Sequence, residues 1–328
     1  MMAMIRQHLQ MVVLRCFEFE PARCSPEEEP RKPYILILGV AQDGRYPQAG
    51  TRGGTANRAW AHQKHAACLS VVDQAKEQRW MFDVTPDFKI QLHNLDKWSF
   101  VPKGTPNGQP GITGIFLTHA HEGHYTGLIN FSRPMMNTQN IPVYVLPRMK
   151  HFLESNAPWS LMIEHGNLSL QPLCSGVPVA INGRGNDAQI SVTPLVVPHR
   201  GELSETAGFL IHGPSRSVLY IPDVDSWDGM ESLAGEKIED LIQKVDAAFL
   251  DATFFDAGEL PGRDWRDVPH PTVSASMERF SRLKPEDRSK IFFIHLNHTN
   301  KLLWDASAVQ KVKQSGFNVA EEGQKFYL

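Results

Sequence analysis

Three histidines fall close together in the stretch Leu117-Thr118-His119-Ala120-His121-Glu122-Gly123-His124-Tyr125-Thr126-Gly127-Leu128. An apolar run over residues 112–117 leads into it, so His119, His121 and His124 are expected just past the end of a strand. Gly123 and the apolar positions Tyr125, Leu128 and Ile129 predict a loop that enters a helix. On a tight loop of this kind, imidazoles two and three residues apart can converge on one point. Neutral imidazole is the commonest zinc ligand. A lone histidine is more often structural or merely exposed, but this density after an apolar strand points to one or two metal ions held at a strand end.

The rest of the composition bounds the setting. The chain has 328 residues, enough for one large α/β domain, with a formal net charge of −3 and 41% hydrophobic residues. Neither a basic stripe nor an acidic block is present, which argues against a nucleic-acid partner and against a charged interaction tail. Cys16, Cys24, Cys68 and Cys174 are scattered and form no C-x-x-C pair, so no zinc knuckle, redox motif or disulfide framework is expected. No apolar run approaches the ~20 residues of a membrane helix. The apolar patch at residues 11–14 is shorter than the ~7–15 residues of a secretory core. A cytoplasmic protein acting on a small molecule is expected, with export through a degenerate N-terminal signal left open.

Residues 1–32 read as an extension or linker, charged and proline-bearing around Ser25-Pro26-Glu27-Glu28-Glu29-Pro30, and residues 33–328 as one domain. Strands are expected at 34–40, at 68–72 and 80–84 as a hairpin, and at 142–146, 190–197, 207–211, 217–221, 247–251, 291–294 and 318–320. Helices are expected from Thr85 (as N-cap, with Pro86 first) to about 97, and at 148–154, 230–244, 271–283 and 303–314. The turn-rich Ala41-Gln42-Asp43-Gly44-Arg45-Tyr46-Pro47-Gln48 carries neither phosphate-loop pattern and reads as a turn packed near a site. Several strands end in ligand-type residues: Asp83, His119, His199, Asp223, Asp251 and His295. In mixed α/β folds, sites gather where loops leave the strand ends, so these residues can meet.

The arrangement resembles the metallo-β-lactamase superfamily, whose hallmark is H-x-H-x-D-H after a strand, followed by further His, Asp and His ligands at later strand ends. His119, His121 and His124 match every histidine of that motif, and His199, Asp223 and His295 follow in the right order. Asp83 stands where the superfamily has a structural Asp. Within the superfamily, the Ala41-Gln42-Asp43-Gly44 turn with Pro47-Gln48, the His124-Tyr125-Thr126-Gly127-Leu128 stretch and His295-Leu296-Asn297-His298-Thr299-Asn300 most resemble pyrroloquinoline quinone biosynthesis protein B and its relatives. Two departures stand out: the cysteine cluster that those relatives carry after Pro-Gln is missing at residues 51–55, and the full histidine triplet, which they tend to lack, is present.

The resemblance implies a four-layer αββα sandwich with the metal site at one edge of its two sheets. It implies a first metal on His119, His121 and His199, with Asp223 able to bridge, and a second on His124, Asp223 and His295. Gly123 occupies the motif position where Asp normally supports the second metal, so one tight zinc and a second, weaker or absent metal are expected, with iron or manganese open as alternatives. The implied activity is hydrolysis of an ester, lactone, amide or phosphodiester bond by a metal-bound hydroxide. Asp223 would orient the water, and His298 would stabilise the oxyanion or protonate the leaving group. His295 and His298 compete for one ligand place. His270, between two prolines, reads as a rigid loop residue near the substrate mouth rather than a ligand; Arg200 and Arg263, able to grip an anionic substrate, read as solvated surface. The alternative is a non-catalytic or pathway-specific protein of quinone cofactor biosynthesis.

Overall fold

Two seven-stranded sheets carry the architecture, and they are built alike. The structure, a computed structural model, describes residues 32–52, 56–183, 189–259 and 268–328. The extension read into residues 1–32 therefore lies outside the described residues except for Lys32, and so does Arg263. The first sheet contains β1 (Tyr34–Gly39), β2 (Cys68–Asp73), β3 (Gln78–Phe82), β4 (Gly114–Phe116), β5 (Ile141–Val145) and β6 (Leu168–Pro172). The second contains β7 (Val179–Ala180), β8 (Ser191–Val197), β9 (Thr206–His212), β10 (Ser217–Ile221), β11 (Ala247–Asp251), β12 (Ile291–Ile294) and β13 (Asn318–Val319). The last strand, β14 (Lys325–Tyr327), crosses back and pairs with β1, giving the orders β14-β1-β2-β3-β4-β5-β6 and β13-β12-β11-β10-β9-β8-β7. In each sheet the pairs on one side are antiparallel and those on the other side parallel.

Strand alternation explains the layering. Along β1, Ile35 and Ile37 join the core shared by both sheets, while Tyr34, Leu36 and Leu38 join a second core against the outer helices. Every residue of β1 is buried, which is why it reads as a continuous apolar run. Between the sheets, Phe209 of β9 meets Phe82 of β3 edge-on at 5.3 Å and Phe116 of β4 at 5.6 Å. Outside the first sheet lie the helices Phe88–Trp98 and Pro147–Ser155; outside the second lie Ile238–Gln243, Val273–Phe280 and Ala306–Gln314. The result is the expected αββα sandwich. Among the described residues no helix is long and apolar enough to cross a membrane.

Several element boundaries differ from expectation for local reasons. The helix expected from Thr85 begins at Phe88, because the Thr85 hydroxyl accepts from Asp87 N (3.0 Å) and holds a turn first. The helix expected over 230–244 is two, Met230–Ala234 and Ile238–Gln243, broken where Gly235 takes φ 80°. Thr272 does cap its helix, accepting from Ala275 N at 3.1 Å. The final helix starts later than expected, at Ala306 behind the Asp305 cap, and Lys301–Leu303 form a separate 3-10 turn.

Candidate metal centre

Four strand ends deliver the six residues of the site. His119, His121 and His124 follow β4, with His124 inside the short helix Glu122–Tyr125. His199 follows β8, Asp223 follows β10 and His295 follows β12. All but His121 and His199 have residue exposures of 2% or less, and the His199 side chain is itself fully buried. His295 adopts φ 63°, and Asp83, after β3, adopts φ 66°. A left-handed non-glycine residue costs of order 1–3 kcal/mol and persists only where its surroundings over-determine it.

Asp223 Oδ2 faces two groups of donor atoms, and a further group, Asp223, Asp251, His270 and His295, lies beside them. In the first, His121 Nδ1 lies 2.9 Å from His119 Nε2 and 3.1 Å from His199 Nε2. Asp223 Oδ2 completes the group at 3.2 Å from His119 Nε2 and 3.3 Å from His199 Nε2. Zinc–nitrogen bonds of ~2.0–2.1 Å in a tetrahedron put neighbouring donors about 3.3 Å apart, so this group has the dimensions of a zinc shell. The second group is His124 Nε2, His295 Nε2 and Asp43 Oδ1. Asp43 lies 3.2 Å from His124 and 3.4 Å from His295, and Asp223 Oδ2 lies 3.6 and 3.9 Å from the same two nitrogens. This second hole is the wider one. His124 Nε2 is buried and makes no hydrogen bond in the protein, an orphan that a metal ion would satisfy. The donor set, imidazole plus carboxylate, suits zinc and does not exclude iron or manganese.

Outer partners fix which nitrogen faces inward. His124 Nδ1 is held by Asp83 Oδ2 (2.8 Å), His119 Nδ1 by the Thr118 hydroxyl (2.9 Å) and His295 Nδ1 by the Thr253 hydroxyl (2.9 Å). His199 Nδ1 lies 2.7 Å from Asp225 Oδ1. Such partners orient the ring and set its tautomer. Burial, reinforced by His124, holds the His119 pKa well below its ordinary value, so this ring is in its neutral, ligating form. Burial and His199 lower His121 as well. His124 behaves oppositely: burial works against its charge, but Asp83 and Asp43 outweigh it and raise its pKa well above the ordinary value. Burial likewise works to raise the Asp223 carboxyl, yet His295, His199 and His270 hold it well below the usual carboxylate range. These carboxylates call for a cation, and a metal ion would take over the charge that a proton on His124 supplies.

The structure also places the residues outside this set. His298 hydrogen-bonds Asn297 Oδ1 at 2.9 Å, is half-buried, and belongs to neither donor group; of the two competitors, His295 is the one that faces the cluster. Glu122 is exposed. His270 is far from an ordinary loop residue. It is buried, its Nδ1 lies 2.8 Å from Asp251 Oδ2 and 3.4 Å from Asp223 Oδ1, and its Nε2 lies 3.3 Å from Arg200 Nη2. Burial lowers the His270 pKa, but Asp251 and Asp223 prevail and bring it to about 9. Arg200 is half-buried against His270 and Asp225 rather than solvated. Asp43 was missed as a site residue, and His270 was read only as a residue of the substrate mouth, which it lines. Nothing in their spacing marks them, although Asp43 lies in the turn that carried part of the family resemblance.

Along most of its length the chain is similar to several known proteins. The chain is 24% identical to coenzyme PQQ synthesis protein B of Xanthomonas axonopodis pv. citri over 320 residues, covering 90% of this chain and 99% of that protein. The zinc-bound PqqB structure from Methylobacterium extorquens superposes with a TM-score of 0.72 at 19% identity, covering 90% of this chain and all of the other (100%). A diphosphatase of the PhnP family superposes with a TM-score of 0.61 at 18% identity over 90% of this chain and 98% of its own. The family model described as the beta-lactamase superfamily domain matches residues 78–296, from β3 to just beyond the His295 strand end, and the chain belongs to that superfamily.

Proposed function

We propose that the chain is a zinc-dependent hydrolase that acts on an ester, lactone, amide or phosphodiester bond of a small molecule. The observation that carries this reading is the complete first donor group, His119, His121, His199 and Asp223, with spacings of 2.9–3.3 Å. Zinc in such a site lowers the pKa of a coordinated water to about 7 and polarises the bond under attack. His119, His121 and His199 would hold the first metal; His124 and His295 would face the second, with Asp223 between the two.

Contacts support the roles of Asp223, Asp225 and His270, and the role of His298 rests on the sequence motif. Asp223 Oδ1 makes no hydrogen bond in the protein, so as a carboxylate it can orient the attacking water while Oδ2 faces the histidines. Asp225 buttresses His199. A cavity of about 760 Å³ is lined by Asp225, Trp227, His270 and Arg282, among others, and so opens beside the ligand set. His298 is the first candidate to protonate the leaving group; His270, which lines that cavity, is its rival.

A second reading, a dedicated step in quinone cofactor synthesis, is favoured by the similarity to PQQ synthesis protein B along 90% of the chain. The test is elemental analysis of protein purified without added metal, beside a panel of chromogenic esters, lactones, amides and phosphodiesters. Zinc with turnover in one class that chelation abolishes is the expected result. A zinc-loaded protein inert on every class would move the assignment to the second reading, and a protein that takes up no metal would overturn both the zinc and the hydrolase.

A further inference from the structure

Gly123 occupies the motif position at which an aspartate was expected, and its backbone offers no reason for a glycine. It lies within the helix Glu122–Tyr125, and its φ is not in the left-handed region, so any residue could adopt that conformation. Space is the constraint. A Cβ at 123 would stand 2.3 Å from Asp43 Cγ and Oδ1 and 2.5 Å from Asp43 Cβ. The Asp43 carboxylate thus fills the volume that a side chain at 123 would enter, and from there its Oδ1 faces His124 Nε2 and His295 Nε2.

The loop that presents Asp43 is tied down on both sides. Ala41 bridges to Ala66 and to Leu296, Gln42 N donates to Leu296 O at 2.8 Å, and Leu296 directly follows His295. Beyond Asp43, Arg45 N donates to Gln42 O at 2.6 Å, Arg45 takes φ 55°, and its guanidinium pairs with Asp87 at 2.9 Å. The carboxylate and the His295 imidazole are therefore registered to one another through the backbone. Preorganisation of this kind suits a ligand.

We infer that the carboxylate of the second metal position has migrated from residue 123 to Asp43, and that Gly123 is a glycine because Asp43 occupies its side-chain space. The inference rests on the metal centre proposed above and adds to it a ligand outside the superfamily's histidine motif. It reverses the simple expectation that Gly123→Asp would strengthen the second site, because that side chain would collide with Asp43.

The experiment measures zinc stoichiometry and affinity by equilibrium dialysis and chelator competition, with thermal unfolding as a check on the fold. The proteins are wild type, Asp43→Asn, Gly123→Asp and the double swap Asp43→Gly with Gly123→Asp. Wild type is expected to bind two ions. Asp43→Asn, nearly isosteric, should keep the first and weaken the second by at least about 10–100-fold, the loss that removal of even an outer partner brings. Gly123→Asp alone should also weaken the second ion, and the swap should recover it. Equal second-ion affinity in Asp43→Asn and wild type would overturn the inference while leaving the metal centre standing, as would a Gly123→Asp protein that binds the second ion more tightly. A wild type that binds a single ion, retained unchanged in Asp43→Asn, would overturn it as well. No zinc in wild type would instead sink the centre itself.

Discussion

Asp83 of the first sheet and Asp251 of the second are each buried at a strand end, and each gathers one threonine and two histidines. Asp83 accepts from Thr118 N (2.8 Å), Thr118 Oγ1 (3.0 Å) and His124 Nδ1 (2.8 Å), and Thr118 passes the contact on to His119. Asp251 accepts from Thr253 N (2.9 Å), Thr253 Oγ1 (2.8 Å) and His270 Nδ1 (2.8 Å), and Thr253 passes it on to His295. By this correspondence His295 is the counterpart of His119, and His270 that of His124. The two halves part at the far nitrogen. His124 Nε2 is left without a hydrogen bond and faces the donor group, whereas His270 Nε2 meets Arg200. One scaffold thus aims a ring into a donor group in one half and closes the equivalent ring with a guanidinium in the other.

That comparison can be broken at its shared element first. Asp223→Ala removes the carboxylate common to both donor groups and should abolish stable binding of both ions and turnover together, with folding checked by circular dichroism. Retention of either ion would mean the halves are metallated independently. Next in size is the matched pair Asp83→Asn and Asp251→Asn. Asp83→Asn should cost about 10–100-fold in zinc affinity, the usual price of an outer partner. Asp251→Asn should cost less, since it reaches the donors through Thr253 and His295, through His270 and through Val224 N beside Asp223, and holds no first-group histidine. Chelator competition on both proteins decides; a larger loss in Asp251→Asn would make His270 a ligand in its own right.

Thr118→Val and Thr253→Val should be milder, each worth one buried hydrogen-bond relay, about 0.5–1.5 kcal/mol or roughly 2–10-fold in affinity. Equal losses in the two would sharpen the correspondence, and a null result in one would break it. The smallest effect concerns a tie within the first half, where the chain returns to the first sheet. His65, in the loop before β2, meets Glu322, just before β14, with Nδ1 3.2 Å from Oε1. Burial lowers the His65 pKa, but the Glu322 hydrogen bond and charge outweigh it and the net shift is upward. A histidine raised on folding contributes stability in full below its unfolded value of ~6.5 and loses it as pH rises through the folded value. Wild type should therefore melt above Glu322→Gln by up to about 2 °C near pH 6, with the gap closing at alkaline pH. A gap that widens with pH would contradict the sign.

What could be read from the sequence follows from the same contrast. His119, His121 and His124 share one turn after one strand, so local spacing announces them. His199, Asp223 and His295 were found because β8, β10 and β12 are apolar runs that stop at a polar ligand-type residue, and because the superfamily order supplied the expectation. Asp43 and His270 sit in loops, where only the three-dimensional course of the chain aims a side chain, and no periodicity encodes that. The central strands were legible because they are buried on both faces, whereas their αββα layering came from the family resemblance. The short or edge strands β6, β7 and β14 were not, since partly exposed segments such as Leu168–Pro172 show no clean apolar run. Gly235 splits a helix that its apolar pattern would have continued, since Ile238, Leu241 and Ile242 are buried beyond it.

The pairing of β14 with β1 orders events in time as well as in space. Tyr34 is made early and Tyr327 late, yet the two are partners. During synthesis β1 can find β2, but its other edge stays unpaired until the second sheet's strands have all been made. Closure of the first sheet is therefore a late, long-range step, the kind that loop entropy makes slow. In the interval an apolar edge strand is open to pairing with other chains. Truncation before Lys325 would make that interval permanent.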